Sequence, residues 1–290
     1  MIRLRSVLFM PASNERAVAK ARDLPCDAVI LDLEDAVAPE AKGAARERAV
    51  AAVREGGGER PMVVRVNGLG TAWVDDDLAA LRGVAPHAVL VPKVDRTDDL
   101  RAVRARLPDV SLWAMVESCR GVLALPELAD AAAGLGLAAL VAGTNDLAKE
   151  MRCRPDATRT PLLPALSQIV LAARAAGVAA LDGVLNALGD ADRLAAECAQ
   201  GAMLGFDGKT LIHPAQIDVA NAAFGPSAAE LAWAHAVVAA FADPANAGKG
   251  AIRLRGEMVE RLHLAEAERV LTSNRSLSLQ GGTGERSEPG

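Results

Sequence analysis

SLWAMVES at residues 111–118 and ALVAGTND at 139–146 decide the fold. Each is a short, mostly apolar run that ends on polar residues, and an Ala/Leu-rich helical stretch separates the two. A continuous apolar run without alternation marks a strand buried on both faces, as in a parallel sheet covered by helices. The unit recurs: SVLFMPA from 6, AVILDLEDA from 28, MVVRVNG from 62, AVLVPKV from 88, VAALDGV from 178 and AMLGFDGK from 202. Helical segments such as AKGAARERAVAAVRE (41–55) and ALSQIVLAARAAG (165–177) fill the intervals. About eight such units predict an α/β chain folded as a closed (β/α)8 TIM barrel rather than an open sheet.

Nearly every run ends on a polar or charged residue: Glu34 and Asp35, Arg65, Lys93, Glu117, Asp146, Asp182 and Lys209. From Glu34 on they are 24 to 36 residues apart. In a barrel all strand C-termini open at one mouth, so these side chains are expected to converge there. The plainer alternative is that polar residues resume wherever burial stops. Glu34 and Asp35 are adjacent, so on a strand at most one of them aims inward.

Composition narrows the function. The 290 residues are 51% hydrophobic and 24% charged, a globular balance. No apolar run is long enough for a membrane span, and MIRLRSVLFMPAS is too soon punctuated for a secretory signal, which predicts a cytoplasmic protein. A net charge of −5, 2% aromatics and no Tyr lack the basic stripe and stacking surface of a nucleic-acid binder. Cys26, Cys119, Cys153 and Cys198 show no C-x-x-C spacing and read as reduced thiols. The expected division is a barrel over 1–225, a C-terminal extension over 226–271, and a Ser/Gly-rich disordered tail over 272–290. Within the extension, Leu231, Val237, Val238 and Phe241 space one amphipathic helix. A Gly-rich joint, a short extended piece and a final helix follow.

Glu117 and Asp146, read as the ends of successive strands, would present two carboxylates to one mouth. That suits Mg²⁺ or Mn²⁺ with positions left open for substrate. Two isolated acids also read as helix caps or solvated strand ends. Arg65 offers a permanently charged fork of donors for a carboxylate or an oxyanion; its plainer role is a structural pair with Glu34 or Asp35.

In order, RSVLFMP (5–11), LDLEDAV (31–37), VRVNG (64–68), VPK (91–93), VES (116–118), GTNDL (143–147), LDGV (181–184) and GFDGKTLIHPAQ (205–216) resemble the CitE-like CoA-ester lyases of the HpcH/HpaI aldolase superfamily. That family includes citrate lyase β subunits, malyl-CoA and citramalyl-CoA lyases, and malyl-CoA thioesterases. The resemblance covers residues 5–271. It implies Mg²⁺ on Glu117 and Asp146, CoA as part of the substrate, Glu34 and Asp35 near the metal's water shell, and Arg65 on the thioester carbonyl. Lys93 then reads as a salt-bridged residue or a CoA-phosphate contact, not a Schiff-base nucleophile.

The same resemblance implies a C-terminal segment that completes the site of a neighbouring subunit, in a homotrimer or homohexamer. Its acid–base Asp corresponds to Glu260 in GEMVER (256–261), one methylene longer. Glu260 would serve C–C cleavage or direct water at the thioester; its plainer role is a surface pair with Arg261 or Arg253. His263 is the weaker alternative. The leading expectation is a lyase joining or splitting acetyl-CoA or propionyl-CoA and a 2-oxo acid. A malyl-CoA-type thioesterase and a citrate lyase β-type subunit of a larger complex are the alternatives.

Overall fold

The computed structural model describes residues 3–56 and 60–280, the side chains of 273–280 excepted. It forms two compact units that divide after Phe224. In the first, β1 (Ser6–Pro11), β2 (Ala28–Asp32), β3 (Met62–Arg65), β4 (Ala88–Val91), β5 (Ser111–Val116), β6 (Leu137–Ala142), β7 (Ala179–Asp182) and β8 (Gly208–Leu211) pair in parallel and in sequence order. β8 closes on β1, which makes the predicted barrel. Around it run α1 (Glu15–Ala21), α2 (Lys42–Glu55), α3 (Val74–Leu81), α4 (Thr97–Arg104), α5 (Cys119–Leu123) and α6 (Leu125–Leu135). They continue as α7 (Thr144–Glu150), α8 (Leu163–Ala176), α9 (Ala191–Leu204) and α10 (Ile217–Ala223).

Strand alternation splits the apolar residues into two cores. Val7, Ala28, Ile30, Val63, Leu90, Trp113, Met115, Val141 and Leu181 form one cluster that draws on β1 to β7, so it fills the barrel interior. Their strand neighbours, such as Val29, Leu31, Val64, Val89, Ala114, Leu140 and Ala180, join the helices in a larger outer core. Helix α8 shows how a helix meets that layer. Leu166, Ile169, Val170 and Ala173 recur at helical spacing and are buried, while Pro164 fits the first turn and Gly177 (φ +68°) ends it.

Two expectations need correction. The eighth run was placed at 202–209, but residues 202–204 end α9 and the strand is Gly208–Leu211. AMLGF reads as apolar strand or buried helix equally well, because a short run carries no period. Asp146 does not end β6: the strand stops at Ala142 and Asp146 lies in the first turn of α7.

The second unit holds α11 (Ala228–Ala242), an antiparallel hairpin of β9 (Ala251–Leu254) and β10 (Glu257–Glu260), and α12 (Arg261–Gln280). The expected extended piece is thus a two-stranded hairpin, turned at Arg255 (φ +52°) and Gly256 (φ +92°), the double left-handed pair that a tight hairpin requires. Ile252 and Val259 pack with Ala234, Val237 and Ala267, leaving Arg253, Met258 and Glu260 on the hairpin's other face. Helix α12 includes residues 272–280 of the segment set apart as a tail; 281–290 lie outside the described residues. No helix among the described residues is long and apolar enough to cross a membrane.

Candidate active site

Arg65 is the last residue of β3 and shares the inward parity of Val63. In the parallel register its neighbour on β2 is Asp32, which shares the inward parity of Ile30, so the two side chains meet on one face. The guanidinium donates to Asp32 through Nε and Nη2, both at 2.6 Å, and Nη1 lies 2.9 Å from Glu34 Oε2. The Phe9 ring covers it at 4.9 Å. Burial alone would lower the Arg65 pKa, but Asp32, Glu34 and Glu117 more than reverse this and raise it. Arg65 is therefore a fixed positive charge held at the barrel mouth.

Glu34 and Asp35 lie in the turn after β2 has ended at Asp32, and their side chains separate. Glu34 is buried, and Lys93 Nζ donates to its Oε1 at 2.5 Å. Asp35 is exposed, 3.9 Å from Lys93. Glu34 Oε2 forms its ion pair with Arg65 without hydrogen-bond geometry and is left without a donor. Burial pushes the Glu34 carboxyl up, against the pull of Arg65 and Lys93. The structural partners of Arg65 are thus Asp32 and Glu34; Asp35 is not one.

Glu117 follows β5 with the inward parity of Met115 and is buried. Lys93 sits at φ +52° after Pro92, and its backbone N–H donates to Glu117 Oε1 at 2.8 Å. A left-handed non-glycine residue costs about 1–3 kcal/mol, and here the twist aims a peptide at a carboxylate. Gly143 lies opposite: a Cβ there would stand 2.3 Å from Glu117 Cβ and 2.6 Å from Oε2. Burial and the charge of Glu34 push the Glu117 carboxyl up to about 8; Lys93 N–H and Arg65 oppose this, and half-buried Asp146 adds to it.

Among the described residues no group of three or more His, Cys, Asp or Glu gathers as metal ligands. What the mouth offers is two carboxylates, Glu117 just after β5 and Asp146 in the first turn of α7, within a surplus of negative charge, plus the donorless oxygen of Glu34. Few carboxylates with open positions is the donor set that a hard divalent cation takes, with water or substrate oxygens completing its shell.

Behind Glu34 stands a scaffold absent from the sequence reading. Buried Lys42 donates to Leu33 O, Glu34 O and Asn67 Oδ1, each at 2.7 Å. Asp77 accepts from Asn67 Nδ2 at 2.6 Å and from Arg46 Nε at 2.8 Å. These bonds fix the backbone at Glu34 and the loop after β3. A cavity of about 440 Å³ opens beside them, lined among others by Glu34, Lys42, Asn67, Trp73 and Lys93.

Asp182 and Lys209 do not join the mouth. Asp182 has the outward parity of Ala180, and Lys209 that of Leu211. They meet each other at 3.1 Å in the helix layer, with Arg159 at 2.8 Å from Asp182 and Glu197 at 3.3 Å from Lys209. The convergence expected of every strand end thus holds for Glu34, Arg65, Lys93 and Glu117 and fails for these two. Asp32 and Gly143 were missed. The Ala28, Ile30, Asp32 alternation was the available signal for the first; nothing local signalled the second.

In the second unit, Glu260 is half-buried and pairs with neither Arg261 nor Arg253. Its backbone N–H donates to His263 Nδ1 at 2.9 Å.

The HpcH/HpaI aldolase/citrate lyase family model matches residues 5–214. A (3S)-malyl-CoA thioesterase of Cereibacter sphaeroides is 46% identical over 277 residues, covering 94% of this chain and 95% of that protein. The mitochondrial citramalyl-CoA lyase of Homo sapiens is 30% identical, covering 92% of this chain and 84% of that protein. Among solved structures, the CitE protein of Mycobacterium tuberculosis in complex with magnesium, acetoacetate and coenzyme A superposes with a TM-score of 0.77 at 34% identity. It covers 92% of this chain and 96% of that one. With a closed barrel, a carboxylate-rich mouth around one buried arginine, and relatives along nearly its whole length, this chain belongs to the HpcH/HpaI aldolase/citrate lyase family, among its CitE-like CoA-ester enzymes.

Proposed function

We propose that this chain is a Mg²⁺-dependent enzyme acting on a CoA thioester of the malyl type, and that it hydrolyses the thioester. The observation that carries the substrate class is Arg65, held by Asp32 and Glu34 beside Glu117 at the barrel mouth. Such a charge suits the oxygen that turns anionic when a thioester carbonyl is attacked. The choice of bond is supported by 46% identity to the thioesterase against 30% to the citramalyl-CoA lyase, both over most of the chain. This reverses the order of the two expectations drawn from sequence.

Glu117 and Asp146 would hold the metal. Mg²⁺, when bound, supplies a chelating centre for the carboxylate and hydroxyl of the acyl group and offsets the charge of the carboxylates. The chain's own residues do the rest. Arg65 steadies the carbonyl oxygen. Glu260, delivered by a neighbouring copy in a trimer or hexamer, takes a proton from water as the water oxygen attacks the carbonyl carbon. The C–S bond then breaks, Glu260 returns the proton to the departing sulfur, and the products are the free hydroxy acid and CoA thiol. Glu34 and Lys93 fix the charge around Arg65, with Asp35 at the rim.

The lyase reading is supported by the same Arg65, which would equally hold an acetyl-CoA enolate, and by relatives named as lyases. A product assay of the purified chain with (3S)-malyl-CoA and Mg²⁺ separates the two. Free CoA with intact malate is the expected result; acetyl-CoA in step with glyoxylate would replace it with the lyase. Excess chelator is expected to abolish either activity, and full rate in chelator would remove the metal from the proposal.

A further inference from the structure

We propose that His263 is the positioning residue for Glu260: it accepts the Glu260 backbone N–H and so fixes the point at the start of α12 from which the Glu260 carboxylate projects. This rests on the reading of Glu260 as the base.

The first turn of a helix has backbone N–H groups without partners, and the residue just before it normally meets one with a short Ser, Thr, Asp or Asn side chain. Glu260 occupies that place ahead of α12, and its longer side chain is not of the preferred capping type. The bond observed runs the other way. The third helical residue, His263, reaches back with Nδ1 to accept the Glu260 N–H at 2.9 Å. That is the returning half of a capping box, with an imidazole where Glu or Gln usually stands.

The Glu260 backbone is tied on both sides. It pairs with Ala251 across the hairpin, and the next N–H, Arg261, donates to Gly250 O at 3.2 Å. Its carboxylate accepts no hydrogen bond and makes no ion pair among the described residues. It shares the hairpin's open face with Met258 and Arg253, away from the Ile252 and Val259 core. A carboxylate on a backbone held by the bonds to His263 and Gly250, and itself unpartnered among the described residues, is how a base is held ready. Without the His263 bond, Glu260 is free to shift, and a misplacement of about 1 Å costs up to about a hundredfold in rate.

The test uses full-length Glu260→Ala, His263→Ala and His263→Asn in the hydrolysis of (3S)-malyl-CoA with Mg²⁺. Asn places its Oδ1 where Nδ1 stands and keeps the acceptor. The expected result is a loss of about a hundredfold in E260A. H263A should lose about tenfold or more in kcat, with KM and the thermal midpoint near those of the parent. H263N should return to near the parent rate. Parental kcat in H263A alongside an inactive E260A overturns the positioning role alone, as does an H263N no faster than H263A. A parental rate in E260A overturns the reading of Glu260 and this inference with it.

Discussion

Arg65 and Gly143 show how single residues set the chemistry of the mouth. Arg65 binds Asp32 as a planar fork, two parallel bonds at 2.6 Å. A lysine keeps the charge but cannot make both bonds. Arg65→Lys is therefore expected to lower kcat about 10²–10³-fold, the range for removing one donor from an oxyanion site. Steady-state kinetics on malyl-CoA check this, and a rate within a few-fold of the parent would remove Arg65 from the carbonyl. Gly143→Ala drives a methyl group into Glu117, whose Cβ would stand 2.3 Å away. The expected outcome is a folded protein weakened by about 1–3 kcal/mol whose melting temperature no longer rises with Mg²⁺. A variant that keeps the full Mg²⁺ shift would show that Glu117 needs no such approach. Arg65 and Glu117 were legible in sequence because each stands at the end of an apolar run. Gly143 was not, because its role lies in a side chain on another strand.

Asp182 at the end of β7 and Lys209 near the start of β8 illustrate what an element does with charge it cannot expose. Asp182 and Lys209 are fully buried, balanced by Arg159 and Glu197 in the helix layer. Burial alone would raise the Asp182 carboxyl, but Lys209 and Arg159 bring it below its ordinary value. A carboxyl whose folded pKa lies under its unfolded one stabilises the protein above the unfolded value, about 3.9. That stability is lost as pH falls toward the folded value. Asp182→Asn leaves two buried cations with only Glu197, so it is expected to cost about 3–5 kcal/mol near neutrality. It should also flatten the fall of stability below about pH 5. Urea unfolding at pH 7 and at about pH 3, below the unfolded value, checks both; an equal loss at the two pH values would show that Asp182 is not charged in the fold. Their position in apolar runs points to the mouth, but the phase of β7 turns Asp182 outward and β8 begins at Gly208, so Lys209 does not end it.

At the scale of the whole molecule, the arginine and the candidate base lie in different units. If Glu260 completes the site of a neighbouring copy, two defective chains can repair each other. Mixed after dissociation and reassembly, inactive Arg65→Ala and inactive Glu260→Ala chains are expected to recover activity, because some mixed sites hold both an intact Arg65 and an intact Glu260. No recovery from demonstrably mixed oligomers would place both residues of each site in one chain.

The sequence by itself determined the order and number of βα units, the barrel, the helical extension after it, and the placing of Glu34, Arg65, Lys93 and Glu117 at or just beyond the ends of strands. These follow from local quantities: continuous apolar runs, their spacing, and the polar residues that end them. Only the tertiary structure decided which strand-end residues face the mouth. A parallel strand buried on both sides carries apolar residues on both faces, so the pattern that would reveal its inward phase is erased. Register and closure restore it: they set Asp32 beside Arg65 inside the barrel and turn Asp182 and Lys209 out toward the helices.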